Sequence, residues 1–157
     1  NIEELLEEKG FTHYETSNFS LPGHSCQHNI LTWKGGEYCG LGLAAHSHLL
    51  GRRFANTDDM ESYLKYSASP AKIEVFSETL EPTAKARECA VFWLRLFAGV
   101  NLAEFEERTG RNFQTLYSKE LPSLLAQGVM EYDAACSHIR VARHYQPVLD
   151  EVLSLLV

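Results

Sequence analysis

Residues 90–128 read AVFWLRLFAGVNLAEFEERTGRNFQTLYSKELPSLLAQG. Ala90, Trp93, Leu94 and Phe97 fall at i, i+3, i+4 and i+7, the spacing of one buried helix face, and Gly99 is its stop. Asn101, with Glu104 three residues on, has the form of a capping box and opens a short helix that ends at Gly110. A third helix starts after Asn112 and presents Phe113, Leu116, Tyr117, Leu121, Leu124 and Leu125 before Gly128. Pro122 inside it has no N–H to donate, so a kink or a split is expected there. Val129–Asp133 and His138–Val141 then read as short strands around a tight linker. Pro147 can start a last helix that buries Leu149, Val152, Leu153 and Leu156.

Three helices, a β-hairpin and a helix is the order of a winged-helix-like domain, which the sequence places at residues 83–157. Upstream the character changes. Residues 1–70 carry clustered glycines (Gly35, Gly36, Gly40, Gly42) and five of the seven histidines. Ile2, Leu5 and Leu6 sit at helical spacing before Gly10. Phe11–Phe19 alternates like one strand, and Pro22-Gly23 is a turn. Tyr38–Ala45 is short, apolar and glycine-rich, an extended segment in close backbone contact. Asp58–Tyr66 is a short helix capped by Asn56 or Thr57, and Ile73–Phe76 a strand or part of a linker over 71–82.

Composition narrows the class. The 157 residues are 45% hydrophobic, too apolar for a disordered chain. The best apolar run, Ala90–Val100, is broken by Arg95 and is far short of the ~18 residues a membrane span needs. Fourteen basic against 21 acidic residues give a net charge of -7. A DNA-reading third helix would offer only Arg111 and Lys119, beside Glu120, so phosphate neutralisation is missing and nucleic acid is excluded as partner. The cysteines, Cys26, Cys39, Cys89 and Cys136, are dispersed, which fits reduced thiols in the cytoplasm. Neither Cys89 nor Cys136 has an evident activating base. The chain opens on a helix at Asn1 without a Met, which reads as a piece of a longer protein.

Two motifs are weighed against simpler readings. His24, Cys26 and His28 alternate and would share one face of a strand, with Cys39, His46 and His48 following. These are zinc ligand types, and imidazole also suits haem iron, but no standard zinc spacing is matched. The alternative is a loop whose histidines bond backbone or solvent. Gly40-Leu-Gly42-Leu-Ala-Ala45 matches a dinucleotide fingerprint, with Asp58 and Asp59 downstream. The stretch after Ala45 is too short for a crossover helix, so the glycines are read as allowing close strand packing.

The order Gly10-Phe-Thr-His-Tyr-Glu-Thr-Ser-Asn-Phe19, Pro22-Gly23, Cys26-Gln-His28-Asn29, Trp33, Tyr38, Gly40, Gly42, Ala45-His46-Ser47, Arg53 and Asn56 is distinctive. It resembles the oxygen-independent coproporphyrinogen III oxidase-like radical SAM family, in its haem chaperone branch. The resemblance covers essentially the whole chain. It implies an α+β fold: the end of a radical SAM partial (β/α) barrel over residues 1–70, then the helical C-terminal domain. It implies a parent with a [4Fe–4S] cluster and S-adenosylmethionine, held by a CxxxCxxC motif that this sequence lacks. No catalytic residue is therefore assigned here. The family's HNxxYW motif, linked with haem binding, maps onto His28, Asn29 and Trp33, with His28 as the iron ligand, Asn29 orienting the loop and Trp33 against the macrocycle. Thr32 stands where the motif has Tyr.

The implied function is haem binding and transfer to an apo-haem-protein acceptor. The alternatives are an oxidase acting on coproporphyrinogen III in porphyrin biosynthesis and a non-catalytic interaction domain. A single barrel strand at Phe11–Phe19 would expose unpaired backbone groups, so it must pair within the chain or in a homodimer.

Overall fold

The computed structural model describes residues 2–133, 135 and 137–157. The fold is mixed α/β and divides into two units. The first joins residues up to Gly35 with Pro82–Val157; the second is Gly36–Glu81. The sequence division at 70 and 82 therefore runs differently in the structure. The N-terminal 35 residues belong with the C-terminal helices, and the stretch read as a linker holds a helix and a strand.

In the first unit, α1 (Ile2–Glu8) leads into β1 (Thr12–Glu15) and β2 (Asn18–Ser20), an antiparallel hairpin. The single strand expected over Phe11–Phe19 is thus two. Thr16-Ser17, both turn formers, reverse the chain, and the Asn18 amide donates back to the Glu15 carboxylate across that turn. The edge is met inside the chain: Thr16 N–H donates to the Arg95 carbonyl (3.2 Å) and Phe97 N–H to that of Tyr14 (3.1 Å). The helix α2 (Gln27–Trp33) follows. His24, Cys26 and His28 therefore do not alternate along a strand: Cys26 is the N-cap and His28 lies in the first turn.

The C-terminal part begins with α5 (Pro82–Trp93), which buries Ala86, Cys89, Ala90 and Trp93. The helix stops at Trp93, so Leu94 and Phe97 pack from the turns that follow. The strand β6 (Val100–Asn101) precedes α6 (Leu102–Thr109), where the Asn101 side chain accepts from Glu104 N–H at 2.9 Å, the expected cap. Asn112 caps α7 (Phe113–Leu116) in the same way. The expected interruption is a split: α8 (Leu121–Ala126) starts afresh with Pro122 in its first turn, where a missing N–H costs nothing. The strands β7 (Met130–Asp133) and β8 (His138–Val141) pair antiparallel, and β6 adds to β8, giving the order β6-β8-β7. A 3₁₀ segment (Arg143–Val148) containing Pro147 leads into α9 (Leu149–Ser154), which buries Leu149, Val152 and Leu153. The core centres on an aromatic chain, with Trp93–Phe105, Phe105–Phe113 and Phe113–Tyr117 centroids at 6.3, 5.3 and 4.9 Å.

The second unit is a three-stranded antiparallel sheet: β3 (His46–Leu49), β4 (Arg52–Asn56) and β5 (Glu74–Thr79), in that order. Between β4 and β5 lie α3 (Met60–Tyr66) and α4 (Pro70–Ile73). The cap of α3 is Asp59, accepting from Ser62 N–H at 2.7 Å, rather than Asn56 or Thr57. Asn56 instead pairs within the sheet, and Thr57 Oγ1 receives Asp59 N–H. The glycine-rich segment before β3 leads into a strand, not a helix, so no phosphate cradle forms. At Gly40 an added Cβ would stand 2.1 Å from the His46 carbonyl oxygen, and its N–H donates to Ser47 Oγ (3.0 Å). Close backbone approach is the reason for that glycine. Among the described residues no helix is long and apolar enough to cross a membrane.

Candidate functional site

The site is built around α2, and the hairpin holds that helix. Glu15 is fully buried. A buried carboxylate must be fed by donors. Here the Trp33 indole N–H donates to its Oε2 (3.0 Å) and the Asn18 amide to its Oε1. The Tyr14 hydroxyl accepts from Cys26 N–H at the start of α2 (3.3 Å). Ser20 and Ser25 hydroxyls share a hydrogen bond of 3.0 Å. The residues Tyr14, Glu15, Asn18, Cys26 and Trp33, far apart as a motif, are thus partners in space.

The C-terminal end of α2 docks on α5 and α6. Ile30 and Trp33 pack against the core. The Trp33 ring lies 6.2 Å from that of Phe92 and under the Arg95 guanidinium at 5.6 Å. Lys34 reaches Glu104 (2.7 Å) and stands 4.9 Å from the Trp93 ring centroid. Burial pushes the Glu104 carboxyl upward, but the Lys34 ammonium and Arg108 outweigh it and hold it below its ordinary value. Gly35 ends the helix at φ +71, and a Cβ there would meet Cys89 Sγ at 3.0 Å.

Cys89 Sγ also donates to the Lys34 carbonyl at 3.5 Å. Its burial raises the thiol from 9.0 to about 11. The thiolate, which is the nucleophile, is nearly absent at pH 8. Iodoacetamide at pH 8 is therefore expected to leave Cys89 unmodified in the folded protein and to label it in urea, as read by peptide mass spectrometry. Because the folded value is raised, this group favours the fold fully below pH 9.0. That contribution is lost as pH climbs towards about 11, so stability falls in that window. Equal labelling of Cys89 in folded and unfolded protein would contradict its burial.

The predicted site residues separate by face. His28 is exposed in the first turn of α2, and Asn29 is half-buried beside it. Trp33, five residues on, is rotated roughly 140° from His28 at 3.6 residues per turn. Its indole is committed to Glu15 and the core rather than to the side that His28 presents. Thr32 does lie one turn after His28, and its hydroxyl donates to the His28 carbonyl (3.0 Å). His24 Nδ1 lies 2.9 Å from the Pro22 carbonyl oxygen, the loop role weighed against a zinc site. Among the described residues no three His, Cys, Asp or Glu side chains converge as metal ligands. Cys26, Cys39 and Cys89 are free thiols, and Cys136 lies outside the described residues. The Glu15 carboxylate was not singled out by the sequence reading. Its signal was an acidic residue between Tyr14 and Thr16 in the alternating stretch Phe11–Phe19.

The geometry is that of a braced helix offering an imidazole, in a mixed α/β fold. The fold is shared with a solved structure, coproporphyrinogen III oxidase (HemN) from Escherichia coli, described as a radical SAM enzyme. The TM-score is 0.73 at 14% identity, covering 99% of this chain and 39% of that one. Residues 80–139 match the HemN C-terminal domain family. The heme chaperone HemW of Lactococcus lactis is 33% identical over 138 residues, 88% of this chain and 36% of that protein. HemW of Synechocystis is 36% identical over 104 residues, 65% of this chain and 25% of its own length. HemW of Bacillus subtilis is 31% identical over 127 residues, 80% of this chain and 33% of its length. The chain thus spans about a third of the curated relatives it matches. Its similarity lies with HemW heme chaperones, and that of residues 80–139 with the HemN C-terminal domain.

Proposed function

We propose that this chain is the haem-handling C-terminal portion of a haem chaperone-like radical SAM protein, which binds haem and passes it to an apo-haem-protein acceptor in the cytoplasm. The observation that carries this reading is the exposure of His28 on a helix otherwise fixed to the core by Trp33, Ile30 and Lys34. Imidazole is the commonest protein ligand to haem iron, and a ligand that must release its cargo belongs at a surface. The donor set fits haem: His28 would hold the iron, Trp33 fixes the helix that presents it, and Asn29 would orient the turn beside it. Haem, when bound, would offer its iron to the His28 imidazole, and this chain's residues would orient and expose that ring. In the same reading the hairpin corresponds to the end of the barrel and residues 83–157 to a winged-helix-like domain with β7–β8 as its wing. The [4Fe–4S] cluster and S-adenosylmethionine belong to the parent protein. The described thiols of this chain do not converge as a cluster site.

A second reading, oxidation of coproporphyrinogen III by the parent, is supported by the shared fold. Anaerobic turnover of coproporphyrinogen III by the full-length protein would select it. For the first reading, titration of hemin into the chain is expected to give an imidazole-ligated Soret band. His28→Ala is expected to lose that band and to weaken binding at least about tenfold, a loss of roughly 1.4 kcal/mol. Identical spectra and affinities for the two proteins would remove His28 from the mechanism.

A further inference from the structure

We propose that Leu31 is the residue that carries the face of the porphyrin, a role that sequence matching gives to Trp33. This rests on the haem reading of His28 and adds to it the residue that sets macrocycle affinity. Of the three large apolar side chains on α2, Ile30 and Trp33 are turned into the core, whereas Leu31 is 41% exposed. A single exposed leucine carries no information by itself. What distinguishes Leu31 is its place three residues after the exposed His28.

On a helix, i and i+3 are neighbours, with Cβ atoms about 5–6 Å apart. Side chains of a helix also lean toward its N-terminus, so a leucine covers the turn that precedes its own Cα. For Leu31 that turn is the one holding His28. A macrocycle centred on iron at the His28 ring extends in every direction from the metal, and one of those directions lies over Leu31. Trp33 is on a different side and its indole N–H is held by Glu15. Thr32 does share the face, but its hydroxyl turns back to the His28 carbonyl. The apolar surface beside the imidazole is therefore that of Leu31. An amphipathic tetrapyrrole with an apolar face is the chemistry that an imidazole and a leucine side by side recognise.

The test is hemin titration of the 157-residue chain and four variants, followed by Soret absorbance, with far-UV circular dichroism to confirm folding. Leu31→Gln keeps a good helix former and removes the apolar contact. It is expected to retain the imidazole-ligated band position while weakening affinity about tenfold, the order expected for a lost leucine contact. Leu31→Met should restore wild-type affinity, and Leu125→Gln, an exposed leucine on α8, should bind as wild type. Undiminished affinity in Leu31→Gln, with His28→Ala impaired, would overturn the role of Leu31 and leave the haem reading standing. An unchanged His28→Ala would overturn both. Equal weakening in Leu31→Gln and Leu125→Gln would mean that hemin adsorbs to apolar surface generally, and would also overturn the assignment.

Discussion

Replacing Trp93 by alanine is expected to lower stability by about 3–5 kcal/mol, the range for deleting a fully enclosed large aromatic side chain. Trp93 is 1% exposed at the end of α5 and begins the aromatic chain that runs through Phe105 to Phe113 and Tyr117. The Lys34 ammonium also rests against its ring. Its loss opens a cavity lined by side chains on α5 and α6, and it weakens the contact between α2 and α5. Urea unfolding monitored by circular dichroism should show a lower midpoint at unchanged slope. A shift below about 1 kcal/mol, the level of an ordinary surface substitution, would contradict the packing described.

Glu15→Ala is the second large effect. The carboxylate is fully buried and accepts from two side chains, Trp33 and Asn18. Removing it leaves two donors without an acceptor, at about 1–3 kcal/mol for each donor that stays buried. Asn18 is exposed and can turn to water, so the Trp33 N–H carries the cost; relief of the carboxylate's own desolvation offsets part of it, and a net loss of about 1–2 kcal/mol is expected. The site-specific readout is the Trp33 indole N–H resonance, which should shift and exchange faster with solvent. Glu15→Gln keeps one acceptor oxygen and should fall between wild type and alanine. An unperturbed Trp33 resonance in Glu15→Ala would show that the indole does not depend on this partner. If α2 loosens as described, hemin affinity should fall in parallel with the resonance shift.

The C-terminal elements were legible because their signals are local. Asn101, Asn112, Pro122 and Gly110 act within one or two turns of the helices that they start, split or stop. The apolar periodicity of Leu149, Val152 and Leu153 likewise needs no partner to be read. The hairpin was not legible. The alternation of Phe11–Phe19 fits one strand, and only the Asn18 amide reaching the Glu15 carboxylate, with Thr16 bonded to the Arg95 carbonyl, shows where the chain reverses. For α2 the strand alternation does not apply, because the helix begins only after its cap Cys26: of His24, Cys26 and His28, His28 alone lies in it. The candidate His28 comes from the family motif alone, and it is exposed in the first turn of α2. The brace beneath it, Glu15 with Trp33, depends on a contact across 18 residues that neither composition nor spacing encodes. The unit boundary was missed for the same reason, since the N-terminal hairpin is tied to the C-terminal part by pairings between residues 14–16 and 95–97.

Those pairings bear on the order in which the chain acquires structure during synthesis. Thr16 bonds the Arg95 carbonyl across 79 residues, and Glu7 pairs with Arg143 across 136. The whole of Gly36–Glu81 emerges from the ribosome between the two parts of the first unit. At about 5–20 residues per second, the hairpin and α2 wait roughly 4–16 s for the backbone that completes their sheet edge. During that interval the sheet of β3, β4 and β5 has every one of its own partners and can form, while the Glu15–Trp33 brace has no core behind it. The earlier-made segment is thus the later to fold. A protein of high sequence separation in its contacts folds slowly, and here the delay falls on the helix that bears His28. Pausing translation before residue 95 should leave the hairpin and α2 sensitive to protease while residues 36–81 are already resistant.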